Sequence, residues 1–217
     1  MATELYAYWR SQAGYRVRVA LNLKGIAFHE TIIDLDKGDQ NAESFRAINP
    51  QGAVPALVED GQAPVTQSLA ILEYLEERHP DPALLPPDPP GRARVRSLAL
   101  LAAADTHPLI VPRVRGYLTG QDGFDAGRWR AWLEHWLRAG LQTFETRLAR
   151  EPGTGAFCHG DSVTFADLCL AGLAMSAQVF KVETGELPTA RRILDRCFAM
   201  EAFARADMLK QPGAPAA

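Results

Sequence analysis

The sequence predicts an α/β domain followed by an all-α domain, and three observations predict it. Strand, helix and strand patterns succeed one another before residue 34. A hairpin and a helix follow by residue 78, and beyond a proline-rich stretch the apolar patterns are helical. Composition agrees, since 217 residues that are 47% hydrophobic suffice for one large or two small cores.

Leu5 to Trp9 reads as a short strand. Gly14 to Lys24 reads as a helix, with Val17, Ala20, Leu21 and Lys24 at helical spacing and Gly25 as its stop. Ala27 to Ile33 is a second strand, with Phe28, Glu30 and Ile32 on one face and His29, Thr31 and Ile33 on the other. A βαβ unit with a right-handed crossover is expected. After a polar segment carrying Lys37, Gly38 and Gln40, Ala56 to Glu59 and Ala63 to Thr66 should pair as a hairpin about Asp60-Gly61. Ser68 to Arg78 completes the domain as a helix striped by Leu69, Ile71, Leu72 and Leu75.

Residues 80 to 91 hold six prolines, which can neither continue a helix nor join a central strand. The domain boundary is placed there, giving 1–82 and 91–217. The second domain reads as helices over Arg92 to Leu118, bent at Pro108 or Pro112, then Ala126 to Arg150, Thr164 to Phe180 and Thr189 to Met200. Thr164 with Asp167 three residues on is a capping box. Trp129, Trp132 and Trp136 read as a core stripe, Arg92, Arg94 and Arg96 as a solvated or interface face, and Gln211 to Ala217 as a frayed tail.

A net charge of -3 gives no overall pull toward nucleic acid or anionic membrane. No apolar run approaches the roughly 20 residues of a membrane span, and the start Met-Ala-Thr-Glu-Leu-Tyr lacks the regions of a signal peptide. A cytoplasmic protein binding neither nucleic acid nor membrane is expected. Cys158, Cys169 and Cys197, odd in number and widely spaced, read as buried thiols and suggest neither a disulfide framework nor a metal site.

Residues 49 to 75 carry most of the functional information, because a proline-bearing loop, a tight hairpin and a helix entrance all offer backbone groups to a peptide-like anion. Three stations stand out along the first domain. Ser11 lies between the first strand and first helix, where unpaired N–H groups lower a thiol's pKa and the hydroxyl can donate to a thiolate; taken alone it is a helix cap. Pro55 opens a strand, so Val54-Pro55 is either a cis peptide that leaves the Val54 backbone to a ligand or an ordinary trans one. Gln67-Ser68 opens a helix and can hold a carboxylate, or simply caps it.

In this order the stations resemble the soluble glutathione transferase family, nearest its zeta class of maleylacetoacetate and maleylpyruvate isomerases. The matching runs are Tyr15 to Gly25, Asn49-Pro50-Gln51, Val54-Pro55-Ala56-Leu57 and Gln67 to Leu75, joined later by Leu84-Leu85-Pro86, Arg92 to Arg96, Asp105 to Leu109, Gly160-Asp161 and Thr164 to Cys169. The resemblance implies a thioredoxin-like domain that binds glutathione, an all-α domain that shapes the pocket for a small electrophilic substrate, and a homodimer. It assigns Ser11 to the glutathione sulfur, Val54 and Pro55 to the cysteinyl backbone, and Gln67 and Ser68 to the γ-glutamyl end. Gln51 and His107 line the same site. Arg10 and Arg113 are assigned to the substrate's carboxylates, which an arginine grips with two parallel hydrogen bonds.

The implied reaction is cis–trans isomerisation of a maleyl diacid by reversible thiolate addition. Three departures bear on the substrate. Ser11-Gln12-Ala13 stands where the class commonly has Ser-Ser-Cys; Ile110, Val111 and Pro112 stand where it tends to carry asparagines; and Gln178-Val179-Phe180 stands where diacid-using relatives can have arginine. A more apolar pocket admits a second reading, glutathione conjugation to, or dehalogenation of, small electrophiles. A third is a binding protein of the same fold without catalysis.

Overall fold

The computed structural model describes residues 2 to 215. Strand β1 (Thr3–Ala7) alternates buried and half-buried side chains and ends two residues before the expected limit, because the Tyr8 carbonyl accepts the Ser11 N–H at 3.0 Å and turns the chain into a helix. Helix α1 (Gln12–Leu23) therefore begins earlier than its apolar spacing suggests, capped by Ser11. It stops in a Schellman arrangement, with Gly25 at φ 65° and the Ile26 N–H bonded to the Leu21 carbonyl at 2.9 Å.

Strand β2 (His29–Ile32) pairs parallel with β1, while β3 (Ala56–Glu59) pairs antiparallel on its other side. Between them lies α2 (Glu43–Ile48), a helix the sequence reading left as polar loop. Six residues are too few to display a helical period, yet Phe45 anchors them in a cluster with Ile33 and Ala56. Strand β4 (Val65–Thr66) closes the hairpin, shorter than expected, and the sheet order is β2-β1-β3-β4. Helix α3 (Ser68–Arg78) packs on α1. The chain leaving α3 is tied back by the buried Lys24, whose Nζ donates to Glu76 at 2.9 Å and to the His79 and Pro82 carbonyls at 2.6 and 3.0 Å.

From Gln12 to Leu21 every residue of α1 is buried, two arginines included. Arg18 forks onto Glu30 at 2.8 and 2.6 Å and donates to the Tyr8 carbonyl at 3.1 Å. That pairing is what lets a guanidinium remain inside, since an isolated buried charge costs several kcal/mol or more.

Helix α4 (Pro89–Leu100), capped by Asp88, runs into a π-helical turn over Leu101–Thr106 and a 3₁₀ turn over His107–Leu109; α5 (Pro112–Gly120) is separate. The single helix expected over Arg92 to Leu118 is thus divided, and both prolines stand at the start of a new helical turn, where a missing N–H is tolerated. Helices α6 (Ala126–Arg150), α7 (Phe165–Val179) and α8 (Pro188–Phe198) follow. The core face of α6 is Leu133, Leu137, Leu141, Phe144 and Leu148, and Trp129, Trp132 and Trp136 lie only half-buried beside it. The tryptophan stripe is therefore an aromatic flank, with Trp132 Nε1 donating to the Leu109 carbonyl at 2.8 Å.

Arg94 also departs from expectation. It is largely buried, donating to Glu151 at 2.7 Å, the Cys158 carbonyl at 2.7 Å and Thr154 Oγ1 at 2.9 Å, while Arg92 and Arg96 are half-buried. The capping box of α7 is present: the fully buried Asp167 accepts the Thr164 N–H and the Cys158 N–H, each at 2.8 Å. Burial pushes the Asp167 carboxyl up against these hydrogen bonds, and it raises the Cys158 thiol as well. All three cysteines are buried thiols that form no disulfide. Glu145 of α6 accepts the N–H groups of Thr189 and Ala190 at 3.1 and 2.8 Å, closing the start of α8.

Helix α9 (Glu201–Ala206) packs on α1, and Asn22 Nδ2 donates to the Ala202 carbonyl at 3.0 Å. By packing, the chain divides into two units. One runs from the N-terminus through Leu84 and takes in everything from Phe198 onward; the other is Leu85–Cys197. Of the expected frayed tail, Gln211 is anchored by bonds from its Nε2 to the Arg205 and Asp207 carbonyls, both 2.8 Å, and Ala216 and Ala217 lie outside the described residues. Among the described residues no helix is long and apolar enough to cross a membrane.

Candidate active site

Ser11 sits at the junction of β1 and α1 with an extended backbone, and its Oγ accepts the Gly14 N–H at 3.0 Å. Capping uses a lone pair of the hydroxyl and leaves the O–H to donate, so the capping residue still has a proton to give. The N–H groups of Gln12 and Ala13 belong to the same first turn, where no earlier carbonyl can accept them. Gly14 permits the close approach of α1 to β1: a Cβ there would lie 3.2 Å from that of Ala7.

Arg10 is partly exposed and already engaged. Its Nη2 donates to Asp36 Oδ1, and its guanidinium lies 5.5 and 5.7 Å from the ring centroids of Tyr8 and Trp9. Tyr8 Oη donates to the other Asp36 oxygen at 2.6 Å, and burial together with that bond pushes the phenol up to about 12. Asp36 itself is 56% exposed.

The second station is a loop entering β3. The Val54–Pro55 peptide is cis, Pro55 is buried, and pairing begins only at Ala56, which leaves the half-buried Val54 outside the ladder. At the third station Gln67 has φ 69° and ψ 116°, a conformation that costs a non-glycine residue on the order of 1–3 kcal/mol and that is commonly retained for function. It turns Gln67 outward, where Nε2 donates to Gln51 Oε1 at 2.7 Å, and leaves Ser68 buried as the first residue of α3.

Of the residues read from the sequence, Arg10, Ser11, Gln51, Val54, Pro55, Gln67 and Ser68 lie in the first unit, and Gln51 meets Gln67 directly. His107 and Arg113 lie in the second. His107 is half-buried in the 3₁₀ turn after the π-helical one, and Arg113 is exposed at the start of α5. The sequence reading missed Asp36, Gln12 and Arg16. Gln12 and Arg16 are spaced i, i+4 on a helix, the one local signal that they could touch.

The glutathione S-transferase N-terminal domain matches residues 5–83. Over 208 residues the chain is 44% identical to maleylacetoacetate isomerase of Rhizobium meliloti (strain 1021), covering 94% of this chain and 95% of that protein. The maleyl pyruvate isomerase structure described as a bacterial glutathione transferase of zeta class is 39% identical, with 98% and 100% of the two chains covered and a TM-score of 0.93. This chain belongs to the zeta class of glutathione transferases. A further relative, maleylacetoacetate isomerase from Methylobacterium extorquens AM1 solved with malonate and GSH bound, is 53% identical over 98% of this chain and 100% of its own, at a TM-score of 0.96. The thioredoxin-like first domain and helical second domain expected from the zeta resemblance are those of the family.

Proposed function

We propose that the chain is a glutathione-dependent cis–trans isomerase of a maleyl diacid, maleylacetoacetate or maleylpyruvate. The observation that carries the reading is the donor set of the first unit. A hydroxyl at the start of one helix, a second hydroxyl buried at the start of another, and two amides bonded to each other suit a small peptide with a thiol at one place and a carboxylate at another. Full-length relatives named for these two isomerisations support the substrate class.

When bound, glutathione supplies the thiolate that adds reversibly to the double bond, so that the bond can rotate before the sulfur leaves. Ser11 donates its O–H to the sulfur and, with the positive end of α1, favours the ionised form. Ser68 and Gln67, with Gln51 behind it, hold the γ-glutamyl end, and Val54 meets the cysteinyl backbone. Arg10 and Arg113 hold the substrate's carboxylates and stabilise the enolate charge formed after addition. Arg10 does so by exchanging Asp36 for the substrate, which the exposure of Asp36 permits. By the family pattern His107 is assigned to glutathione as well. By class, the protein is a cytoplasmic homodimer of aromatic amino acid breakdown.

The test is a maleyl-substrate assay joined to ultraviolet titration of the bound thiol. Wild type should isomerise only with glutathione present and hold the thiol's pKa below its free value. Ser11→Ala should return that pKa toward the free value and cut turnover by on the order of 10²-fold. A wild-type protein that binds glutathione without isomerising either diacid ends this proposal.

A further inference from the structure

Buried beneath the two hydroxyls is a cation that the reading above does not use. Arg16 is 1% exposed on α1, and its Nη1 donates to Ser68 Oγ at 3.1 Å while its Nη2 donates to Gln12 Oε1 at 3.2 Å. Ser68 and Gln12 are themselves 6% and 2% exposed. One guanidinium thus links the first turn of α1, beside Ser11, to the first turn of α3.

The chemistry of the donor fixes the direction of both bonds. A guanidinium has five N–H donors and no acceptor, so Ser68 can only accept from it and its own proton must point elsewhere. At the first residue of α3, where the backbone N–H groups are unpaired, that leaves the hydroxyl as one more donor toward an anion. Gln12 depends on the other arm. Its Nε2 finds no acceptor among the described residues, so the bond from Arg16 is what orients the amide.

We propose that Arg16 is a positioning residue for glutathione: through Ser68 it presents a hydroxyl proton to the γ-glutamyl α-carboxylate, while Gln12 holds the guanidinium in place from the other side. The inference rests on the glutathione reading above. Arg16 touches neither cofactor nor substrate, and its effect is confined to the end of the peptide that carries the carboxylate.

Calorimetric titration of the full chain tests this with two ligands, glutathione and 4-aminobutyryl-cysteinyl-glycine, which lacks only the α-carboxylate. Arg16→Met should weaken glutathione about 10-fold and leave the analogue's affinity unchanged. Added to Ser68→Ala it should produce little further loss, and Arg16→Lys, which still donates to Ser68, should recover most of the affinity. If Arg16→Met does not fold, Gln12→Ala reads the same coupling, with a loss of a few-fold for glutathione and none for the analogue. Equal losses for both ligands, or full additivity with Ser68→Ala, overturn the proposal. Wild type that binds no glutathione overturns the reading beneath it instead, so the two failures are distinct.

Discussion

Gly140→Ala sets two well-known effects against each other inside α6. Replacing glycine by alanine in a helix interior ordinarily gains about 1 kcal/mol. Here the new Cβ would collide with Thr106 Oγ1 and lie 2.8 Å from its Cγ2 and 3.1 Å from its Cβ. Thr106 cannot swing aside cheaply: it is β-branched, buried, and spends its hydroxyl on the Leu101 carbonyl at 3.1 Å across the π-helical turn. Overpacking costs about 1–3 kcal/mol, and losing that bond about 1 more, so the steric term wins and the net destabilisation is about 1–3 kcal/mol. Urea unfolding followed by circular dichroism should show a lower midpoint for Gly140→Ala, and the thermal midpoint should fall by about 2–4 °C for each kcal/mol. Thr106→Ala in the same chain removes the two nearest atoms and should restore most of the loss. A midpoint equal to or above wild type, with helix propensity deciding the sign, would refute the reasoning.

Asp167→Ala leaves the N–H groups of Cys158 and Thr164 buried without their acceptor and should cost about 3–5 kcal/mol by denaturant unfolding; a loss under about 1 kcal/mol would contradict it. Glu151 accepts from Arg147 at 2.6 Å and Arg94 at 2.7 Å, and the Arg147 bond above all holds its carboxyl below the usual range. Because the folded value lies under the unfolded one, its contribution is complete above the ordinary glutamate range and is lost as pH falls through the folded value. Glu151→Gln should therefore lower stability near neutrality and converge on wild type in acid; a gap that stays constant with pH would count against it. Gln67→Gly removes the unfavourable φ and should raise stability by about 1 kcal/mol while weakening glutathione binding, and a variant that gains stability with full affinity would show that Gln67 does not hold the ligand.

Much of this was legible because the signals are local. The Asp60-Gly61 turn, the Thr164 to Asp167 box and the stripe of α3 each lie within one element, and all three are present. The stations at Ser11, Pro55 and Gln67-Ser68 were legible through the family pattern. What escaped depends on partners distant in sequence. Arg94 reads as a solvated or interface charge because Glu151, Thr154 and Cys158 lie 57 to 64 residues away, and the Arg10–Asp36 pair is hidden because its members lie 26 apart. The tryptophans read as core because they share a helical period with the leucines of α6 and differ only in which face they occupy. The π-helical turn has no periodicity of its own to announce it, and it ends directly before His107.

That α9 packs on α1 sets an order on biosynthesis. Residues Leu85–Cys197 form an uninterrupted run that can settle as soon as it clears the ribosome, whereas the cofactor-binding half is emitted before it and waits for the stretch after Phe198 to be translated. A nascent chain halted before Glu201 carries every residue assigned to glutathione yet leaves the flank of α1 uncovered, so deletion of α9 strikes at a helix some 180 residues earlier.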